Sequence, residues 1–171
     1  MVLSHELIYC IIFVLTICKV CGNLIHIIQI KRAMINSEAG GPAWVEIENS
    51  GGELPLNNYI LRVRAPSGQS TDVWQGSAED VLAGLVTLRL TDGSAEALPL
   101  NGAEPREVIP VPGMDLSTAV GGALVLVWTD ADFNVTEQVV PIPGNVHFGT
   151  VLTLNPETGV MFDPAQYRYA A

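Results

Sequence analysis

Apolar and polar side chains alternate through Trp44-Val45-Glu46-Ile47-Glu48-Asn49 up to the Ser50-Gly51-Gly52 break. A period of two belongs to a half-buried β-strand and not to a helix. Val45 and Ile47 fall on one face, and Glu46 and Glu48 on the other, where they form an expected solvent-facing acidic stripe. Ile28-Gln29-Ile30-Lys31 alternates in the same way and leads to this strand through a turn region, Asn36 to Pro42.

The same signature recurs at intervals of about ten residues, as in a β-sandwich. In Tyr59-Ile60-Leu61-Arg62-Val63-Arg64, the residues Tyr59, Leu61 and Val63 share one face and Arg62 and Arg64 the other, and Pro66-Ser67-Gly68 ends the run as a turn. Val86, Leu88 and Leu90 alternate with Thr87, Arg89 and Thr91. Asp92-Gly93 then signals a hairpin towards Ala97-Leu98-Pro99-Leu100. Pro105, Pro110 and Pro112 lack ladder donors, so Val108 to Val111 is expected at an edge or as an extended cover. After Gly121-Gly122, the run Ala123-Leu124-Val125-Leu126-Val127-Trp128 is apolar on both faces, as a central strand would be. Val151-Leu152-Thr153-Leu154 and Val160-Met161-Phe162-Asp163 flank a five-residue hairpin loop, Asn155 to Gly159, and Tyr167 and Tyr169 are candidate last-strand residues. The expected fold is all-β: an immunoglobulin-like sandwich of about seven to nine strands.

Leu7 to Cys18 is a different kind of pattern, an apolar run of twelve residues without a charge. It matches a secretory h-region and falls short of the roughly 20 residues a membrane-crossing helix needs. Val20 and Gly22 fit a cut before Asn23, although Met1 to Glu6 carries no Lys or Arg. The expected organisation is a signal peptide over residues 1–22 and one domain over residues 23–171. The alternative is an uncleaved membrane anchor or a filament helix over residues 7–30. It sets Lys19 near mid-membrane and takes up Ile28 and Ile30, which the domain's first strand uses.

The 171 residues suit one domain with a proper core. Their 18 acidic against 8 basic side chains, a net charge of −10, exclude nucleic acid and favour cations or basic surfaces as partners. Loss of a leader containing Glu6 and Lys19 leaves that charge unchanged. Cys10, Cys18 and Cys21 all lie in or beside the apolar run, so the domain holds neither a disulfide nor a cysteine-based zinc site. A thiol-free mature chain suits an oxidising, extracellular setting.

Several pieces together resemble the lamin-tail domain family in an extracellular form. Ile28-x-Ile30, Met34-x-Asn36 and Trp44-Val45-Glu46-Ile47-x-Asn49 are similar to that family's opening strand, Met-x-Asn turn and Trp-Val/Ile-Glu-Leu/Ile-x-Asn strand. Leu56 and Asn58-Tyr59-Ile60-Leu61 stand where its next strand lies. Leu116 with Gly121-Gly122-Ala123-Leu124-Val125-Leu126 resembles a later strand, and Val151-x-x-Leu154-Asn155-Pro156-x-x-Gly159-x-x-x-Asp163 its closing hairpin. Met34, Asn36, Trp44, Glu46 and Asn49 are thus the family-motif residues, while Arg32 stands where an acidic residue is common. The resemblance spans residues 27–169 and implies a compact sandwich that serves as an interaction or tethering module.

Residues with catalytic chemistry are scattered. His5 lies in the leader, His26 and His147 have no Ser, Cys or acidic partner near them in sequence, and the glycine pairs Gly40-Gly41 and Gly51-Gly52 read as turns without phosphate-loop context. No enzymatic activity, catalytic residue or cofactor is expected. Asp130, Asp132 and Asn134 alternate as in the start of a calcium loop, but Val135 stands where such a loop needs Gly, and Pro141 where it needs Glu. They remain the candidate metal ligands, beside diffuse, weak divalent-cation binding by the acidic surface. Asn134-Val135-Thr136 is an N-glycosylation sequon on an expected loop, an acceptor if the protein is eukaryotic. Trp74 and Trp128 carry no assigned role. The expected function is a secreted, non-enzymatic structural or adhesive module whose partner is a protein, an extracellular matrix or a mineral surface. It meets a membrane only if the leader is retained.

Overall fold

The computed structural model describes residues 28–36, 42–93 and 107–164. The leader, Gly40-Gly41, Ala97 to Leu100, Pro105, Tyr167 and Tyr169 lie outside the described residues.

The described residues form β1 (Ile28–Met34), β2 (Trp44–Asn49), β3 (Leu54–Pro55), β4 (Tyr59–Arg64), β5 (Ser70–Gln75), β6 (Val81–Leu82), β7 (Val86–Thr91), β8 (Glu107–Pro110), β9 (Ala123–Thr129), β10 (Val135–Pro141), β11 (Val151–Leu154) and β12 (Met161–Phe162), with a 3-10 turn at Ser117–Ala119. These twelve strands make an all-β sandwich. The excess over the expected seven to nine is the two-residue strands β3, β6 and β12, which leave nine longer ones.

A six-stranded sheet, β12-β11-β1-β2-β7-β8, packs on a four-stranded one, β10-β9-β4-β5, and the short β3–β6 pair closes one end. Ile28, Ile30, Val45, Ile47, Leu88 and Leu90 from the first sheet meet Leu61, Val63, Leu124 and Leu126 from the second in one core. Each is a member of an alternating run, and burying such a side chain contributes about 1.5–3 kcal/mol. β9 lies between β10 and β4, and its other face carries a second small cluster of Ala123, Val125 and Val127, which is why that run is apolar on both sides.

β8 is an edge strand, parallel to β7, with Leu88 opposite Glu107. Between Leu88 and Thr91 both sides of β7 are therefore occupied, by β2 and β8. The alternation of β1 does not run evenly: its register with β2 slips between Ile30 and Arg32. Ile28 and Ile30 face the core before this β-bulge, and Ala33 after it. The extra residue turns Lys31 and Arg32 to the same outer face, where they meet the glutamates of β2.

Glu46 is accordingly not part of a solvent-facing stripe. It is 0% exposed, with Arg32 Nε 2.5 Å from Oε2 and Arg89 Nη2 2.6 Å from Oε1. Arg32 and Arg89 occupy the positions directly opposite Glu46 on β1 and β7, so cross-strand pairing delivers two guanidinium groups to one carboxylate and removes it from water. Glu48 stays partly exposed and pairs with Lys31 at 2.8 Å.

Candidate interaction surface

Met34, Asn36, Trp44, Glu46 and Asn49 gather around β2 and fix its surroundings. Met34 and Trp44 are opposite one another and buried on the outer face of the six-stranded sheet. The Arg89 guanidinium lies 4.6 Å from the Trp44 ring centroid, a cation–π contact that completes the Arg32–Glu46–Arg89 row. Asn36 is buried. Its Oδ1 accepts the Leu116 N–H at 2.9 Å and its Nδ2 donates to Asp115 Oδ1 at 3.3 Å, tying the end of β1 to the segment before β9. Asn49 closes the other end of β2, because its Oδ1 accepts the Gly51 N–H while its Nδ2 reaches the carbonyls of Gly52 and Ala83. All five positions thus act on the scaffold.

The opposite, four-stranded sheet presents a charge ladder. Arg62 donates to Asp72 and lies 3.8 Å from Glu137, whose other oxygen is 3.0 Å from Arg64. The hydrogen bond to Asp72 is the main reason the Arg62 guanidinium holds its proton more tightly than usual. Lys31, Arg32, Arg62, Arg64 and Arg89 are the five Lys and Arg side chains among the described residues, and each lies in an ion pair.

At one end of the sandwich the chain presents carboxylates and apolar tips instead. Asn49 is opposite Val86, Tyr59 is opposite Trp128, and the Leu56 N–H donates to the Asp80 carbonyl. The loops at 50–53, 76–80, 83–85 and 130–134 therefore open on the same side. Glu53, Asp80, Asp130 and Asp132 stand there with the exposed side chains of Leu85 and Phe133. Leu85 and Phe133 are also the described non-glycine residues with positive φ, 58° and 63°, a left-handed conformation that costs a residue with a Cβ about 1–2 kcal/mol.

Asp130, Asp132 and Asn134 do come together, as a backbone cap. The Asp130 carboxylate accepts the N–H groups of Asp132 and Asn134, each at 2.9 Å, and the Asn134 side-chain amide at 3.0 Å. The Asn134 side-chain bond, ahead of the backbone ones, holds this carboxyl below the usual aspartate range. With an N–H donor of Asn134 aimed at the carboxylate, the oxygen a cation would need from that amide faces elsewhere. Among the described residues, no group of three or more His, Cys, Asp or Glu is placed to hold a metal ion. Of the sequon, Asn134 is exposed in the loop, while Val135 and Thr136 already belong to β10.

His147 has an acidic neighbour that its sequence position hides. Its Nδ1 is 3.4 Å from Asp163 Oδ2, the imidazole largely exposed and the carboxylate buried. The pair ties the loop after β10 to β12 and flanks a cleft of about 280 Å³ whose lining includes Pro143, Asn145, Asn155, Thr158 and Asp163. β5 and β10 are likewise absent from the sequence expectations. β5 contains an extra residue, Val73, between its pairings at Asp72 and Trp74, and β10 is exposed at five of its seven positions, so neither shows clean alternation of apolar and polar side chains.

No family model matches the chain, and comparison with curated proteins finds no relative.

Proposed function

We propose that this protein is a secreted, non-enzymatic structural or adhesive interaction module of lamin-tail type, working in an acidic extracellular matrix or against a mineral surface. The observation that carries this proposal is where the charge goes. The described cations are all neutralised internally, whereas Glu53, Glu79, Asp130, Asp132 and Glu157 stand exposed in a chain of net charge −10. Such a surface attracts basic proteins and divalent-cation lattices and repels polyanions. A compact sandwich with rigid strands is a suitable support for contacts of this kind. The order of the motif residues around Trp44 and Asn49 supports the lamin-tail assignment.

The test has two arms. N-terminal sequencing of protein from its native source is expected to start at Asn23. An intact leader in the membrane fraction would instead favour an anchored subunit, whose helix must end before Ile28, since Ile28 and Ile30 are core residues of β1. The mature chain is also expected to bind hydroxyapatite and an immobilised basic protein, with elution by salt. Passage through both columns unretarded at low salt sinks the proposal.

A further inference from the structure

Among the described residues the two larger sheets have four edges, and three of them are blunted. β12 is two residues long, β8 is four residues long and ends on Pro110, and β5 carries the bulge at Val73. Short strands, proline and bulges are the devices that keep an exposed edge from pairing with another chain. β10 has none of them before its last residue. Its register with β9 runs unbroken from Val135 opposite Thr129 to Pro141 opposite Ala123, among the described residues it pairs with β9 alone, and it contains no lysine.

The phase of that ladder is fixed by the turn. The Asp130 N–H donates to the Asn134 carbonyl, so the antiparallel alternation turns the backbone groups of Thr136, Gln138 and Val140 towards β9 and those of Val135, Glu137 and Val139 outward. The same outward positions carry exposed side chains: Val135 is 66% and Val139 43% exposed, and Phe133, two residues before the strand, is 86% exposed. Gln138 cannot slide to follow a different register, because its Oε1 accepts the Ile30 N–H of the other sheet at 3.0 Å.

We propose that β10 is a docking edge that accepts one extended strand of another protein, hydrogen-bonded along Val135, Glu137 and Val139, with Phe133 as an aromatic anchor. This rests on the interaction role argued above and names its surface. The partner's chemistry follows from the edge. β-branched or aromatic side chains at alternate positions share the face of Val135 and Val139 and pack beside them, and Lys or Arg near the end that meets the loop answers the exposed Asp130 and Asp132, there being no Lys or Arg on β10 or its loop, while Glu137 is already paired with Arg62 and Arg64. A second copy of this chain fits poorly. The two-fold register that pairs all three open positions sets Glu137 against Glu137, each already held by Arg62 and Arg64 of its own copy, and a second β10 brings no Lys or Arg to Asp130 and Asp132.

The probe is a capped peptide of about eight alternating valines and lysines, added to the full chain. Amide hydrogen exchange at Val135, Glu137 and Val139 is expected to slow by about tenfold or more, and an otherwise identical peptide N-methylated at alternate amides is expected not to bind. Val139→Pro removes an outward donor and should weaken binding at least about tenfold; Val139→Lys, checked for unchanged circular dichroism, serves if the proline variant misfolds. Binding that survives N-methylation, or protection elsewhere than β10, overturns strand addition while the broader interaction role stands. Absence of binding by both peptides overturns the docking edge as well. Sedimentation showing a dimer that Val139→Pro dissolves overturns the assignment to a foreign strand. Retention on the basic and mineral columns reads the broader role independently, so the two failures are told apart.

Discussion

Glu46 and Arg89 face one another across β2 and β7 with Arg89 Nη2 2.6 Å from Glu46 Oε1, and neither reaches bulk solvent, at 0% and 5% exposure. Arg32 supplies a second cation to the same carboxylate from β1. The row spans three strands and holds the sheet's centre in one register, since a slip of one residue would carry Glu46 into the apolar core. Trp44 shields the row through its contact with Arg89.

Removing the carboxylate should therefore cost far more than an exposed ion pair would. Glu46→Gln leaves two guanidinium groups near each other without a counter-charge, and its unfolding free energy in urea is expected to fall by about 3–5 kcal/mol. The exposed pair gives the comparison: Glu48→Gln, which breaks only the Lys31 contact, should cost about 1 kcal/mol or less. Equal losses from the two variants would show that the buried row contributes no more than a surface bridge.

Asn36 and Asp115 make a second joint. Desolvation pushes the Asp115 carboxyl up, but hydrogen bonds from the Ser117 hydroxyl and amide and from Asn36 outweigh it, so the group is held below the ordinary aspartate value. A depressed folded pKa contributes stability that is present above the unfolded value of about 3.9 and is lost as pH falls through the folded one. The melting temperature of the wild type should thus drop more steeply below pH 4 than that of Asp115→Asn. Asn36→Ala also strands the buried Leu116 N–H, with an expected loss of about 1–3 kcal/mol.

Most of the sandwich is legible in the sequence, because its core strands alternate cleanly. Tyr59, Leu61 and Val63 face inward as spaced, and Ala123 to Trp128 is central as its two apolar faces require. What was not legible comes from residues that break the period. Lys31-Arg32 is two polar residues in succession, which marks the bulge, yet only the register shows that Arg32 is thereby delivered to Glu46. Arg89 sits at an ordinary outward position, and nothing local says that Glu46 faces it. The His147–Asp163 contact depends on how the loop after β10 folds back on β12, and exposed β10 carries no amphipathic signal.

Alkaline titration should expose the Tyr59 environment. Burial against the Trp128 ring, 6.1 Å away, pushes its phenol up to about 12. A raised folded pKa gives stability that is fully present below the unfolded value near 10 and is lost as pH rises through the folded one. Denaturant midpoints should fall between pH 10 and 12, and Tyr59→Phe should flatten that limb. A tyrosinate absorbance at pH 10 in the folded protein that Tyr59→Phe diminishes would contradict this placement.

The Gly121-Gly122 pair has two separate reasons. Gly121 has φ 74°, and a Cβ at Gly122 would collide with the carbonyl oxygen of Arg64 on the neighbouring strand. Gly122→Ala must push β4 and β9 apart and is expected to destabilise by about 1–3 kcal/mol or more. Gly52→Ala, where a Cβ meets nothing within 4 Å, should stay within about 0.5 kcal/mol. A reversal of that order, measured by chemical denaturation, would show that β4 yields easily at this approach.

Phe133 offers the sharpest separation of fold from contact. It is 86% exposed and has φ 63°, so its ring stabilises little while its Cβ makes the turn unfavourable. Asparagine tolerates that conformation, and the turn is closed by backbone N–H groups that the substitution keeps, those of Asp132 and Asn134 to the Asp130 carboxylate and that of residue 133 to the Asp130 carbonyl. Phe133→Asn is therefore expected to raise stability by about 1 kcal/mol and, in the same protein, to weaken binding of the valine–lysine peptide. If Phe133→Asn instead lowers the melting temperature, the ring packs on the sandwich, and the anchor assigned to it disappears.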